Sequence, residues 1–460
     1  MQKQFLFFSK FLLIILLGSC SMEEFDNERI PTKTENTEYS SMHKAGDSAY
    51  DLLGHGYNVT GEFANANSAG FQVIDIDRFK TEQASRLVAE NIFSQEYTEN
   101  YGDNAESYAR KISNKIDLSA DEIPLFGATL SVAFHSAFNN NKKFDAKYIY
   151  GSYKLTIKHK RLRINATKDI LTDYLSPEFI QDIQTQTPEQ IVKSYGTHIL
   201  LDIYTGAEIN TLFQAETKNK NRERAARIGI KIGIKKIFNI DIANDLDITA
   251  AVNNYSKKLS YETRGGDPSK ALVGELNINE SKPKIMLSSW QNSSTINNAV
   301  LVDFGKNGLL IIYDLIKDPV KKAQLKAYVD QYLIDNKVSL EFPPTPIHQY
   351  FNGIDHFYTS EEGNYLLYTH EKTDFQALLN KAPNEVPIYR YFNGIDHFYT
   401  KTEGAYPGYT EEGVEFYAFP TQQPNTVPIY KYFNGIDHFY TKTVGFYLGY
   451  TNEGIEFYAY

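Results

Sequence analysis

The 460-residue chain holds a single cysteine, Cys20, and a single tryptophan, Trp290. One thiol excludes intrachain disulfides, zinc–thiolate sites and a dithiol redox pair. Beyond residue 20 no segment reaches the roughly 18 consecutive apolar residues of a spanning helix. Basic charge is also short, with 47 Lys and Arg against 57 Asp and Glu and a formal net charge of −10. That balance argues against nucleic acid as the main partner, because a phosphate backbone demands a basic footprint. A GxSxG elbow, an HExxH helix and a phosphate loop are missing too, so no catalytic residue, metal site or cofactor is expected. What the chain has in quantity is tyrosine (34) and phenylalanine (29), within a hydrophobic content of 42%. This suits two or three β-rich domains.

The first residues address the compartment. Lys3 and Lys10 precede the apolar run 11–17, and Gly18-Ser19-Cys20 follow. A basic start and a short apolar stretch make an export signal, since the run is too short to span a bilayer. Leu17-Gly18-Ser19-Cys20 resembles the lipobox of bacterial lipoproteins, which implies residues 1–19 as a leader and Cys20 as an acylated N-terminus. The acidic Glu23-Glu24-Phe25-Asp26 resembles an export tag for the outer face of the outer membrane. The resemblance thus implies a secreted protein, lipid-anchored and facing the cell exterior. Residues 20–45 read as a polar, flexible tether.

At the other end the chain repeats itself. The segment beginning at Pro346 recurs at Pro387 and at Pro428, a period of 41 both times. In each copy Asn-Gly sits between β-prone runs, the signal for a type I′ hairpin. Three units of this size imply an all-β threefold domain over 345–460, a β-trefoil. The repeats also resemble His-Phe-Tyr-Thr modules appended to secreted hydrolases and surface proteins. Aromatic faces, amides and carboxylates are what a sugar needs. The candidate ligand residues are therefore Tyr350, Asn352, Asp355 and His356, then Tyr391, Asn393, Asp396 and His397, then Tyr432, Asn434, Asp437 and His438. The competing reading is that these residues recur because they make the fold. A metal on the three aspartates is not expected, because the fold repeat already sets their spacing. Pro343-Pro344-Thr345-Pro346 marks a stiff connector.

Residues 46–342 carry Tyr195-Gly196-Thr197-His198, six residues, then Thr205-Gly206. This resembles the signature of the membrane attack complex/perforin (MACPF) family, with Thr205 in place of its first glycine. Other landmarks stand in the family's order. Capped helix starts at Ser176-Pro177 and Thr187-Pro188 lead into the signature. Leu53–Thr60 resembles the opening strand, and Gly265-Gly266 the turn of a return strand before Trp290. The resemblance implies an α+β fold, a bent antiparallel sheet flanked by helical clusters. It also implies that Tyr195, Gly196, Thr197, His198, Gly206, Gly265 and Gly266 shape the domain rather than catalyse.

In that family each helical cluster unfurls into an amphipathic hairpin, and hairpins from many copies close a barrel in lipid. The segment 227–249 has the required alternation. Ile228, Ile230, Ile232, Ile234, Phe238, Ile240, Ile242, Leu246 and Ile248 share one parity, with Lys236 and Asn244 as exceptions. Folded about Phe238, Lys235 faces Asp241 and Lys231 faces Asp245. Arg224, Arg227, Lys231 and Lys235 also form a helical stripe, so the segment reads as a resting amphipathic helix too, although the glycines and β-branched residues of Arg227–Lys235 count against a good helix; the other alternative is a permanent soluble hairpin. Alternation over 126–138 marks a weaker first segment, and 95–121 read as helix-like. The expected function is a pore-former that oligomerises on membrane lipid, with the repeats choosing a surface glycan or head group. The alternative is a non-lytic adhesin or glycan-binding protein on the same fold.

Overall fold

The computed structural model describes residues 49–115, 143–238, 249–278 and 284–460. Cys20, residues 126–138 and Ile240, Ile242, Leu246 and Ile248 lie outside them. At the centre of the larger domain runs a six-stranded antiparallel sheet. Its order is Leu87–Gly102, Tyr148–Ile164, Asp202–Thr217, Asn254–Arg264, Val273–Asn277, with Val300–Phe304 pairing the first part of Asp202–Thr217. The first three strands hold 16, 17 and 16 residues, about 50 Å at about 3.3 Å per residue. Residues 95–102, read as helix-like, belong to the edge strand, and the helix begins only at Ala105. An edge strand with one solvated face reads as polar, and long-range pairing with Tyr148–Ile164 decides it.

The sheet bends along one row. Asn91 pairs with Lys160 and Ser94 with Lys158, so the edge strand carries an extra residue there. In the same row Lys158 pairs with Gly206 and Lys160 with Thr205, leaving His159 as a second bulge. Stacked bulges turn both strands the same way. Thr205 is accommodated at this row, while Gly206 is not replaceable: a Cβ there would lie 1.8 Å from the Ile157 carbonyl oxygen.

At one end of the sheet the chain forms a four-stranded sheet in the order Leu309–Ile311, His198–Leu200, His55–Tyr57, Ala69–Gln72. The helices expected before the signature are Pro177–Thr185, capped by Ser176, and Pro188–Tyr195, opened by a Thr187–Gln190 capping box. They bury Phe179, Ile191, Val192 and Tyr195 in a core shared with Leu325 and Val329 of the Pro319–Asp335 helix.

Each C-terminal repeat forms one three-stranded sheet, its first strand in the middle. In the first copy these are His356–Thr359, Thr345–Phe351 and Thr369–Ala377. The type I′ turn expected at Asn-Gly is not what forms. Phe351 pairs with His356 across a four-residue loop. Gly353 takes φ +97, while Asn352 stays out of the left-handed region. Its Oδ1 instead accepts the Ile354 and Asp355 amides at 2.9 and 2.8 Å. The side chain thus supplies the turn that two positive φ angles would have made.

Ile347, Tyr358, Phe375 and their counterparts in the other copies close one core around the threefold axis. The three tyrosines bond in a ring. Tyr358 Oη donates to the Tyr440 carbonyl at 2.8 Å, Tyr440 Oη to Tyr399 at 2.6 Å, and Tyr399 Oη to Tyr358 at 2.7 Å. Each hydroxyl also accepts a backbone N–H from another copy of the ring. Tyr399→Phe removes both bonds from a buried site. It is expected to cost about 1–3 kcal/mol, read as a lower denaturation midpoint of the C-terminal domain. An unchanged midpoint would show that the ring does not hold the copies together.

Candidate functional site

The signature residues converge where the two sheets meet. Tyr195 is buried, its ring edge-on to Phe179 at 4.9 Å and its Oη donating to Asp182 Oδ2 at 2.7 Å. Gly196 ends the helix at φ +81, and a Cβ there would lie 2.4 Å from the Tyr57 carbonyl carbon. The Thr197 amide bonds the Tyr57 carbonyl, and Thr197 Oγ1 accepts the Val59 amide at 3.3 Å. His198 Nδ1 shares a 2.9 Å hydrogen bond with that hydroxyl. Burial pushes the His198 pKa down to about 4, so the imidazole is neutral and inside the core. At the bend, Gly265 (φ +69) lies against the Gly206 carbonyl, and its own carbonyl accepts the Trp290 Nε1–H at 2.9 Å. Gly266 (φ +78) completes the turn under the same indole. All seven residues hold neighbouring segments together.

The segment expected to insert is a helix from Arg222 to Phe238. A permanent soluble hairpin is thereby corrected for residues 227–238; the resting helix is the form adopted. Ile228, Ile230, Ile234 and Phe238 are buried, and Ile232 is half-buried. Ile230 and Ile234 pack on Tyr153, Ile209, Phe213 and Leu259 of the sheet. Glycine lets the helix in: a Cβ at Gly229 would lie 2.4 Å from Phe213 Cζ, and one at Gly233 2.5 Å from Leu259 Cδ1. Ile237, which the alternating parity left on the wrong face, is buried here because 3.6-residue spacing brings it round with Ile230 and Ile234.

The helix is anchored by a residue the sequence gave no reason to single out. Arg222 donates to the carbonyls of Asp103, Ala146, Lys147 and Tyr148 at 2.8 to 3.3 Å. It also donates to Asn380 Oδ1 of the repeat domain at 3.2 Å. Burial lowers its pKa, outweighing the nearby acids. Lys218 pairs with Glu361 beside it, so the start of the helix is tied to the first repeat by charge as well.

The sheet's other face is charged. Glu208, fully buried, is held by Lys154 on one side and Arg264 on the other. Lys158 pairs with Glu96 and Asp303, both at 2.9 Å. Between these groups lies a cavity of about 440 Å³, reached by Tyr108, Asn210 and Phe304 as well.

In the repeat domain most of the candidate ligand residues turn inward. Tyr350, Tyr391 and Tyr432 are each 1% exposed. His397 Nδ1 meets Asp355 Oδ2 at 2.5 Å, His438 meets Asp396 at 2.6 Å, and His356 meets Asp437 at 2.6 Å, so each bond links two copies. Each carboxylate also accepts a backbone amide from its partner histidine and a tyrosine hydroxyl, from Tyr368, Tyr409 or Tyr450. Burial works against the Asp396 carboxylate, but its His438 and Tyr409 bonds hold its pKa below the ordinary value. The three carboxylates approach within 4.8 Å of one another. Asn352, Asn393 and Asn434 shape exposed turns. The Asp and His positions thus bond one copy to the next, while Tyr350, Tyr391 and Tyr432 each accept a loop amide of their own copy.

His198 makes a pH prediction. Its folded pKa of about 4 lies below the unfolded value of about 6.5. Its contribution is therefore complete above about pH 6.5 and is lost as pH falls towards 4, a change of about 3 kcal/mol. Unfolding free energies of the protein and of His198→Asn, compared from pH 8 to 4, are expected to converge over that window. Parallel curves would mean that the imidazole is not buried neutral.

Residues 39–341 match the MAC/Perforin domain family, and residues 346–460 match a domain of unknown function (DUF5648). Among solved structures, a cell-invasion candidate with a MAC/Perforin domain from Bacteroides thetaiotaomicron is similar at TM-score 0.51 and 16% identity, over 73% of this chain and 68% of its own. GNIP1Aa from Chromobacterium piscinae gives 0.49 and 16%, over 79% and 68%. The cytotoxin suilysin from Streptococcus suis gives 0.24 and 13%, over 50% and 43%. No curated protein matches the chain. With the signature, the bent sheet and the docked helix in place over most of its length, the chain belongs to the MAC/Perforin family.

Proposed function

We propose that the protein is an exported, lipid-anchored pore-former. In this reading Cys20 carries the acyl chains on the outer face of the cell envelope. Copies assemble on a target membrane, and the Arg222–Phe238 helix opens into one strand of an amphipathic hairpin. The observation that carries the reading is the double use of one segment. Its isoleucines alternate as a lipid-facing strand requires, yet at rest the same residues pack as a helix through Gly229 and Gly233. Each glycine costs about 1 kcal/mol of helix propensity relative to alanine, and β-branched isoleucine adds to that cost. Tertiary packing therefore maintains the helix. Glycan targeting by residues 345–460 belongs to the same proposal.

A second reading, a non-lytic adhesin, is favoured by the anchor itself, because a permanently tethered chain reaches another cell only by shedding or on vesicles. A disulfide lock separates the two. The Cβ of a residue at 151 lies 3.1 Å from that of Ile230, close to the roughly 3.5–4.5 Å of a disulfide. In a chain with Cys20→Ser, the pair Gly151→Cys and Ile230→Cys is expected to abolish dye release from liposomes when oxidised and to restore it with reductant. Release that ignores the lock would sink the insertion role of this helix. Absence of release from every membrane, with the protein folded, would favour the adhesin.

A further inference from the structure

Beyond closing the ring, the repeats differ at a position that borders the buried tyrosine of each copy. The loop after each His-Phe-Tyr-Thr strand carries the same tyrosines in all three copies, at 365 and 368, 406 and 409, and 447 and 450. The residue opposite the buried tyrosine on the neighbouring strand differs: His370 faces Tyr350, Glu411 faces Tyr391, and Asn452 faces Tyr432. In the first copy His370 is consumed, its ring 5.0 Å from Tyr350 and its Nε2 3.2 Å from His348 Nδ1. Asn452 is consumed in the third, donating to Tyr432 Oη at 3.0 Å and accepting the Gly454 amide at 2.7 Å. Glu411 has no hydrogen bond or ion pair among the described residues and points from an exposed position. There the middle copy opens a shallow cleft of about 550 Å³, walled by Tyr391, Tyr406 and Tyr409 and rimmed by Glu403 and Glu411.

The geometry points to this cleft as the ligand site of the repeat domain, with a neutral saccharide as its occupant. The inference rests on the glycan-targeting reading and locates it. The Tyr406 and Tyr409 hydroxyls and the Gly404 amide of the cleft are already used. Tyr406 Oη donates to the Thr402 carbonyl at 2.9 Å, Tyr409 Oη to Asp396 at 2.5 Å, and the Gly404 amide to Tyr391 Oη at 3.1 Å. What remains is a pair of carboxylates, Glu403 taking one bond from Tyr389 at 3.1 Å. The cleft therefore offers acceptors and aromatic surface, and its ligand must bring donors. Sugar hydroxyls bring several at once, and a sugar's C–H face covers Tyr406, whose ring is fixed edge-on to Tyr391 and Phe398 at 4.9 Å each. Uronic and sialic acids are excluded by the two like charges. A small ammonium ion gains little here, because ion pairs at exposed carboxylates contribute about 0–1 kcal/mol and so open a cleft does not enclose it.

The test titrates the full chain with neutral oligosaccharides (mannose-, glucose-, galactose- and N-acetylglucosamine-based), with sialyllactose and with choline. At least one neutral saccharide is expected to bind. Binding should fall tenfold or more in Glu411→His, which copies the first repeat's residue, and in Glu403→Ala. It should stay unchanged in Asn452→Ala. Glu411 is exposed, so Glu411→His is expected to keep the melting temperature. Saccharide binding that is indifferent to Glu411→His would overturn this site and leave glycan targeting standing. A chain that binds no saccharide, neutral or sialylated, would overturn both. Choline or sialyllactose binding lost in Glu411→His would overturn the ligand class.

Discussion

The Arg222–Phe238 helix approaches the sheet so closely that two of its turns have no room for a methyl group. That constraint organises its surroundings. The sheet answers with small residues of its own: a Cβ at Gly151 would sit 3.1 Å from Ile230, and Ala207 and Ala215 share the same buried cluster. Ile230 and Ile234 then share one buried cluster with Ile209 and Leu259, and that burial supplies the stability that glycine and isoleucine do not supply as helix formers. Arg222 fixes the helix start by filling four backbone carbonyls with one guanidinium. The helix is a tertiary object, stable as long as the sheet beneath it keeps its shape.

Charge is handled on the same principle at both ends of the molecule. A buried carboxylate is costly unless its oxygens are fully engaged. Glu208 is flanked by Lys154 and Arg264, and Asp355, Asp396 and Asp437 each take a histidine and a tyrosine. In the larger domain this arrangement ties neighbouring strands of one sheet. Within the repeats it ties each copy to the next, and the ring closes because there are three of them.

The family and the fold class were legible in short stretches. Tyr195–His198 identified the first domain because glycine and threonine meet the Tyr57–Val59 backbone there and the histidine bonds the threonine hydroxyl. The 41-residue period announced the threefold domain because a repeated unit must bury a repeated face. Less was legible where alternatives were nearly balanced. The segment 227–238 satisfies both a period of two and a period of 3.6, and its glycines and isoleucines locally disfavour the helix that tertiary packing selects. Asn352-Gly353 satisfies a type I′ turn, and the side-chain oxygen of Asn352 satisfies another turn as well.

The sequence alone determined the presence of the signature, the three copies, the single thiol and the alternation of isoleucines, because each is a property of residues close together in the chain. Only the tertiary structure decided what those residues touch. Asp355 and His397 are 42 residues apart, and His356 and Asp437 are 81 apart. Their pairing exists only once three sheets meet at an axis. Tertiary structure also left Glu411 without a hydrogen bond or ion pair among the described residues beside an open cleft, where His370 and Asn452 bond to neighbouring side chains. It likewise chose the helix for residues 222–238, since the space above Phe213 and Leu259 admits a helix backbone without a side chain and rewards it with buried area.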